Sequence, residues 1–173
     1  QINAERFSLQ EGHNEIRLEF QVDETLSSLE VALGDAFFDC GDVFEANTPI
    51  VCTHTVTAAD VAADDEATEA ITIFGLDGAS NPISGNASVT LDNKAPGLLS
   101  SPVSPQVAKL GDEVVLSLTY DEELNGVPAW ESDLPFVLLQ DSQYAFSFIA
   151  DANLPDGEHA FTVTATDLVG NTS

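Results

Sequence analysis

The sequence predicts an all-β chain of two consecutive β-sandwich modules, and three observations carry that prediction. The first is alternation. In Glu15–Val22, the apolar residues Ile16, Leu18, Phe20 and Val22 alternate with Arg17, Glu19 and Gln21, the period of a strand with one wet face. The second is internal repetition. "EIRLEFQVDETL" (15–26) aligns without gaps with "EVVLSLTYDEEL" (113–124) at an offset of 98, and "ITIFGLDGASNP" (71–82) matches the stretch from Phe161 at an offset of 90. Ile71 and Ile73 fall on Phe161 and Val163, Asp77 on Asp167, and Asn81 on Asn171. The third is the connector Leu91-Asp-Asn-Lys-Ala-Pro96, where a proline without an amide hydrogen biases its predecessor towards extended backbone. The modules expected are residues 1–95 and 96–173, a period well above that of a solenoid unit.

Each element follows from local pattern. In the first module, strands are expected over 15–22, 28–33, 36–40, 50–57, 69–75 and 86–91. The Ala-rich "TAADVAADDEATEA" (57–70) lacks large residues at helical spacing, so it reads as a loop with at most one helical turn. The second module opens with "GLLSSPVSPQVAKLGDE", whose prolines suit an edge strand. Strands then follow over 114–120, 127–130, 135–139, 143–149 and 159–166. Roughly seven short strands in each module of ~90 residues describe an immunoglobulin-like sandwich. After Asn81 the first copy continues to Pro96, whereas only Thr172 and Ser173 follow Asn171. The second module is therefore expected to lack its last strand. Truncation of a longer array, a disordered remainder, or a donor strand from another chain would each account for this.

Charge narrows the partners. Thirty acids against four bases give a net charge of −26, with 18 acids and three bases in residues 1–95 and 12 acids and one base in the rest. Acidity spread over both modules repels nucleic-acid phosphates and attracts cations. The 43% hydrophobic content, arranged in alternation, disfavours disorder. No apolar run is long enough for a membrane helix, so direct membrane insertion is not expected. Cys40 and Cys52 fit neighbouring strands joined by a turn containing Gly41 and Asn47-Thr-Pro49. A disulfide there would staple a small extracellular β-module; two buried thiols are the other reading.

"VTATDLVGNTS" and "ITIFGLDGASNP" resemble the penultimate strand and following turn of bacterial Ig-like repeats, whose signature is Asp-x-x-Gly-Asn. "TLDNKAP" resembles the linker between such repeats, and "YDEEL" and "VDETL" resemble the acidic corner after their second strand. "CGDVFEANTPIVCTHTVTAAD" resembles repeats in which a cysteine pair joins two neighbouring strands. Ser80 departs from the glycine usual in that family, and a left-handed backbone there would strain the turn. The resemblance implies parts of large secreted or surface-anchored proteins, including adhesins.

Signals for catalysis are thin. His13, His54 and His159 belong to no nucleophile motif; His13 lies in a polar turn, His54 on a strand, and His159 at a position that favours packing over proton transfer. The chain is not expected to be an enzyme. The sharper expectation is calcium at the module junction, held by Asp92 and Asn93 of the linker, Asp121, Glu122, Asp167 and Asn171 of the second module, and Asp60 or Asp64 of the first. Against it stands the plainer reading of Asp167 and Asn171 as turn formers. Trp130, Phe136, the Phe37-Phe38 pair and Phe74 are candidates for surfaces that meet sugars or partners, with core packing the commoner role for such rings.

The function expected is a non-catalytic stalk or spacer in an extracellular, cell-surface or adhesin-like protein, secreted and anchored to an outer membrane through regions beyond this sequence. Its partners would be neighbouring Ig-like repeats, and a surface protein or glycan. A ligand- or carbohydrate-binding adhesion module, or an accessory domain of a secreted enzyme, are the alternatives.

Overall fold

The computed structural model describes residues 1–131, 134, 136–140 and 144–173. The described residues contain strands and turns and no helix. The chain divides into two compact units, Gln1–Lys94 and Ala95–Ser173, one residue before the expected boundary.

In unit 1 the strands are β1 (Arg6–Phe7), β2 (Glu15–Phe20), β3 (Leu26–Leu33), β4 (Ala36–Phe37), β5 (Ile50–Thr55), β6 (Glu66–Asp77) and β7 (Pro82–Asp92). They form a five-stranded sheet in the order β1-β7-β6-β3-β4 and a two-stranded sheet of β2 and β5. Alternate residues of both sheets point into one core. Ile16, Leu18, Ile50 and Cys52 come from the small sheet, and Phe7, Val31, Leu33, Ile71, Val89 and Leu91 from the large one. Two sheets face to face over shared apolar side chains make a sandwich. Each such buried side chain contributes roughly 1.5–3 kcal/mol relative to exposure. Of the adjacent rings at 37 and 38, Phe38 is buried and Phe37 faces outward, and Phe74 is also exposed.

The β6–β7 hairpin is the longest element, running in register from Glu66↔Asp92 to Leu76↔Pro82. It begins three residues before the strand expected at 69, so the loop expected over 57–70 ends at residue 65. The short β1 lies parallel to the end of β7, with Arg6 opposite Thr90 and Phe7 opposite Leu91. Cys40 and Cys52 are joined in a disulfide. Asp39 and Thr53 exchange two backbone hydrogen bonds beside it, at 2.8 and 2.9 Å.

Unit 2 contains β8 (Leu98–Ser100), β9 (Val103–Ser104), β10 (Glu113–Ser117), β11 (Thr119–Tyr120), β12 (Ala129–Glu131), β13 (Val137–Gln140), β14 (Ala145–Ile149) and β15 (Thr162–Thr164). The sheets are β13-β14-β10-β9, β11-β8 and β12-β15. β9 is an edge strand, flanked by Pro102 and Pro105, which agrees with the edge position expected for this stretch. The strands expected over 135–139 and 143–149 each start on a residue, 135 and 143, outside those described. The core gathers Leu116, Leu118 and Phe146, with Val103, Trp130, Phe136, Leu138, Phe161 and Val163 packed against them. Trp130 lies 4.4 Å from Phe136 and 4.7 Å from Phe146 between ring centroids, so both candidate sugar-binding rings pack into this cluster.

Two pairings have counterparts in both units, and in the second of them both partners fall at the offsets of the sequence repeat, 98 and 90. Leu18 faces Cys52 in β2–β5, and Leu116 faces Phe146 in β10–β14. Leu26 faces Asp77, and Leu124 faces Asp167. Ser80 and Gly170 occupy the same turn position with φ of 67° and 88°. Serine there carries the left-handed penalty of roughly 1–2 kcal/mol, partly offset by the greater chain entropy that glycine loses on folding.

Two stability outcomes follow from these local features. Ser80→Gly raises the stability of unit 1 by about 0.5–1 kcal/mol, and Gly170→Ser lowers that of unit 2 by a similar amount, read from guanidinium unfolding midpoints. Replacing Cys40 and Cys52 together by serine frees a loop with a sequence separation of 12. That change costs roughly 3 kcal/mol in the same assay.

Candidate metal centre

The acidic corners are built by two turns with one design. In unit 1, Asp77 Oδ1 accepts the amides of Ala79 and Asn81, each at 2.8 Å, and Oδ2 accepts Asn81 Nδ2 at 2.7 Å. In unit 2, Asp167 Oδ1 accepts the amides of Val169 and Asn171, each at 2.9 Å, and Oδ2 accepts Asn171 Nδ2 at 2.7 Å. The aspartate amide donates to the asparagine carbonyl at 3.0 Å in both. Asp167 and Asn171 are thus turn formers, the plainer of their two expected roles, and both are buried. Three of the roughly four lone-pair positions on each aspartate are occupied, which leaves about one on Oδ2.

A glutamate stands beside each of these aspartates. The Glu24 carboxyl lies within hydrogen-bond reach of Asp77. Carboxylate oxygens of Glu122 and Asp167 lie within 4.8 Å of one another. The two glutamates occupy equivalent places in "VDETL" and "YDEEL". Asp121 instead clasps the start of the unit. Its Oδ1 accepts the Gly97 amide at 2.6 Å while its own amide donates to the Gly97 carbonyl at 3.0 Å. A Cβ at position 97 would stand 2.7 Å from Asp121 Oδ2, so this clasp needs glycine.

The remaining predicted ligands lie in unit 1. Asp92 is buried and paired with Arg6 Nη1 at 2.6 Å, and its Oδ1 accepts the Lys94 amide at 3.2 Å. The same guanidinium reaches Glu66 at 3.0 Å. Asn93 is tied to the 57–65 loop, donating from its amide to the Asp65 carbonyl at 2.8 Å and from Nδ2 to the Ala62 carbonyl at 3.2 Å. Asp64 in that loop is exposed, with φ at 56°. Asp60 is committed elsewhere: its Oδ2 accepts the amide and hydroxyl of Thr57 at 2.7 and 2.8 Å. Its Oδ1 is 3.2 Å from His54 Nε2, within ion-pair reach but off hydrogen-bond alignment. The His54 ring also packs on Phe38 at 5.3 Å. His159, expected to pack, is exposed, its Nε2 2.9 Å from the Pro155 carbonyl oxygen.

Sequence reasoning missed Glu24 and Asp77 as a counterpart pair, although the repeat carried the signal. It also missed Arg6 as the partner of Asp92 and Glu66, and His54 as the partner of Asp60. No local pattern announces either contact.

Asp77 and Asp60 titrate below the ordinary value of 3.8. Asp77 is lowered first by the Asn81 side chain and amide, against burial, with Ala79 and Glu24 adding to the effect. For Asp60, burial is the largest influence and raises it, but the Thr57 hydroxyl and amide and the His54 ring together outweigh burial.

No family model, curated protein or solved structure matches the chain. The disulfide is compatible with an extracellular location, and no helix among the described residues is long and apolar enough to cross a membrane.

Both lowered carboxyls link stability to pH with the same sign. Their contribution is complete above the unfolded value near 3.8 and is lost as pH falls through their lower folded values. The thermal midpoint of unit 1 therefore falls between pH 4 and pH 2. Asp77→Asn in calorimetry flattens that acid limb, whereas the exposed Asp35→Asn leaves it unchanged.

Proposed function

We propose that the chain is a non-catalytic pair of immunoglobulin-like β-modules serving as a stalk or spacer in an extracellular adhesin-like protein, each module carrying a weak calcium corner. One observation carries this reading: the same glutamate–aspartate pair is set on the same hydrogen-bonded turn in each unit. A turn needs its aspartate and asparagine. It does not need a second carboxylate beside them, and two adjacent carboxyl groups offer oxygens that a divalent cation takes.

Calcium takes six to eight oxygens at 2.3–2.6 Å from flexible carboxylates, carbonyls and water. Glu122 and the remaining lone pair of Asp167 supply a minority of these, and water supplies the rest. A site of that kind belongs with extracellular modules that bind at 10⁻⁴–10⁻³ M. At those concentrations calcium is abundant outside the cell and scarce within it. Such a site is therefore filled where a surface stalk works. The disulfide and the net charge of −26 agree with the same setting.

The test is calorimetry in 10 mM calcium against chelator, with 10 mM magnesium as control. For a dissociation constant near 10⁻⁴ M, saturation adds about 2.7 kcal/mol per site and raises the melting temperature accordingly. Glu122→Gln removes the response of unit 2 and leaves that of unit 1. A melting temperature unchanged by calcium, or raised equally by magnesium, refutes the calcium corner.

A further inference from the structure

Trp130 and Phe136 pack into the core of unit 2, but two rings of unit 1 stay in water: Phe37 is 62% and Phe74 51% exposed. Both stand on the outer face of the five-stranded sheet. Phe37 pairs with Ala32 and Phe74 with Glu30, on the side of β3 opposite to Val31 and Leu33, which enter the core. Two strand spacings across and two residues along put the two phenylalanine positions about 12 Å apart. Between them lie the short side chains of Ala32 and its β6 partner Thr72. Asn86 opposite Thr72 and Ser84 opposite Phe74 continue the same rows onto β7. The face is also neutral where the chain is not. The outward positions of the β6–β7 hairpin, every second residue from Thr68 to Leu76 and from Pro82 to Thr90, hold no acid and no base in a chain with 30 acids.

We propose that this face binds a neutral oligosaccharide, with Phe37 and Phe74 each stacked on one of its sugar rings. The face of a pyranose is a layer of C–H bonds, which packs on the electron-rich face of an aromatic ring. Its hydroxyls point sideways, where Thr72, Ser84 and Asn86 both donate and accept, and Glu30 accepts. Charge and area set the other occupants aside. An anionic ligand is repelled by a chain at −26, and Arg6, at the edge of the sheet, is already engaged by Asp92 and Glu66. A cation is drawn to the acidic corners and not to a face whose hairpin carries no carboxylate. A protein partner, a second copy included, needs about 800 Å² on each side. The two half-exposed rings offer roughly 200 Å² of apolar surface between them. A ligand that is small, uncharged, apolar on its faces and hydroxylated at its rim meets all three limits. The reading of the chain as a stalk does not depend on this site.

The test follows the amide resonances of the isotopically labelled 173-residue chain, in chelator so that the calcium corners stay out of the measurement. The probes are neutral hexasaccharides of glucose, mannose, galactose and N-acetylglucosamine, each added to about 10 mM, a range that reaches weak exposed sites. At least one is expected to shift the amides of Ala32, Phe37, Phe74 and Asn86 saturably and to leave those of unit 2 in place. Phe37→Ser and, separately, Phe74→Thr weaken that binding at least fivefold and leave the melting temperature unchanged, since both rings are exposed. Val43→Ser, which removes an exposed apolar side chain outside the sheet, leaves binding intact. Hexagalacturonate, which carries a carboxylate on every ring, does not bind. Four results overturn the proposal: no shift with any neutral probe, binding that survives both phenylalanine changes, hexagalacturonate bound as tightly as the neutral sugars, or shifts at this face that follow protein concentration alone as two copies associate.

Discussion

A buried aspartate that binds its own turn governs both units. Asp77 and Asp167 each accept two backbone amides and one asparagine side-chain amide, so these donors replace the water that a buried carboxylate loses. This knot sets the hairpin register, and in unit 1 the eleven-residue ladder of β6 and β7 runs back from it. The register in turn decides which residues of β6 meet the core: with Asp77 facing inward, Ile71 and Ile73 face inward too, and Phe74 is left in water. The aspartate also sets the distance to its neighbouring glutamate. Turn, register and acidic corner are therefore consequences of one interaction.

The rest of the charge is managed by scarcity. Arg6 and Arg17 are both engaged by carboxylates, Arg6 with Asp92 and Glu66 and Arg17 with Glu19 at 2.8 Å. Arg6 matters more than a surface base would. Asp92 is 1% exposed at the end of β7, and the guanidinium compensates a charge that has lost its water. Because Arg6 lies in the two-residue β1, this pair also fastens β1 to the edge of the sheet, where its parallel ladder is only two residues long. Most of the remaining carboxylates are exposed, and salt screens their mutual repulsion.

What could be read from the sequence was what local pattern encodes. β2 and β10 announce themselves by strict alternation of large apolar residues, and the hairpin turns by Asp and Asn at matching offsets. Even the left-handed backbone at Ser80 was foreseen, from the glycine usual at that place in the repeats this turn resembles. Elements held by distant contacts were not. β1 is two residues long and exists because Phe7 reaches the core beside Leu91. The first residues of β6 carry alanine, threonine and glutamate where a strand signal needs bulk, so pairing with β7 extends the strand beyond its pattern. β15 is conversely shorter than expected at Thr162–Thr164, since "PDGEH" ahead of it favours turns. At the candidate site, the glutamate–aspartate pairing was encoded by the repeat, whereas the engagement of Asp60 by His54 depends on how β5 and the following loop fold together.

The two units answer one packing problem in different ways. Opposite the buried leucine of the second strand, Leu18 in unit 1 and Leu116 in unit 2, the core position is Cys52 in one and Phe146 in the other. Cysteine is small, and its contribution is covalent: bonded to Cys40, it restrains the loop that leads into β5 and limits the unfolded chain. Phenylalanine fills the position by bulk and stacks on Trp130, which leans on Phe136, and Phe136 meets Phe148 edge-on at 4.6 Å. Aromatic contacts of this kind add about 0.5–1.5 kcal/mol each beyond area burial, so two or three of them approach the worth of one disulfide. They differ in what they require. The crosslink holds regardless of what surrounds it, but an aromatic cluster is stable only while its rings are shielded from water. Phe136, Phe148 and Phe161 all border an open cleft. The stability of unit 2 is therefore the more sensitive of the two to water reaching its core.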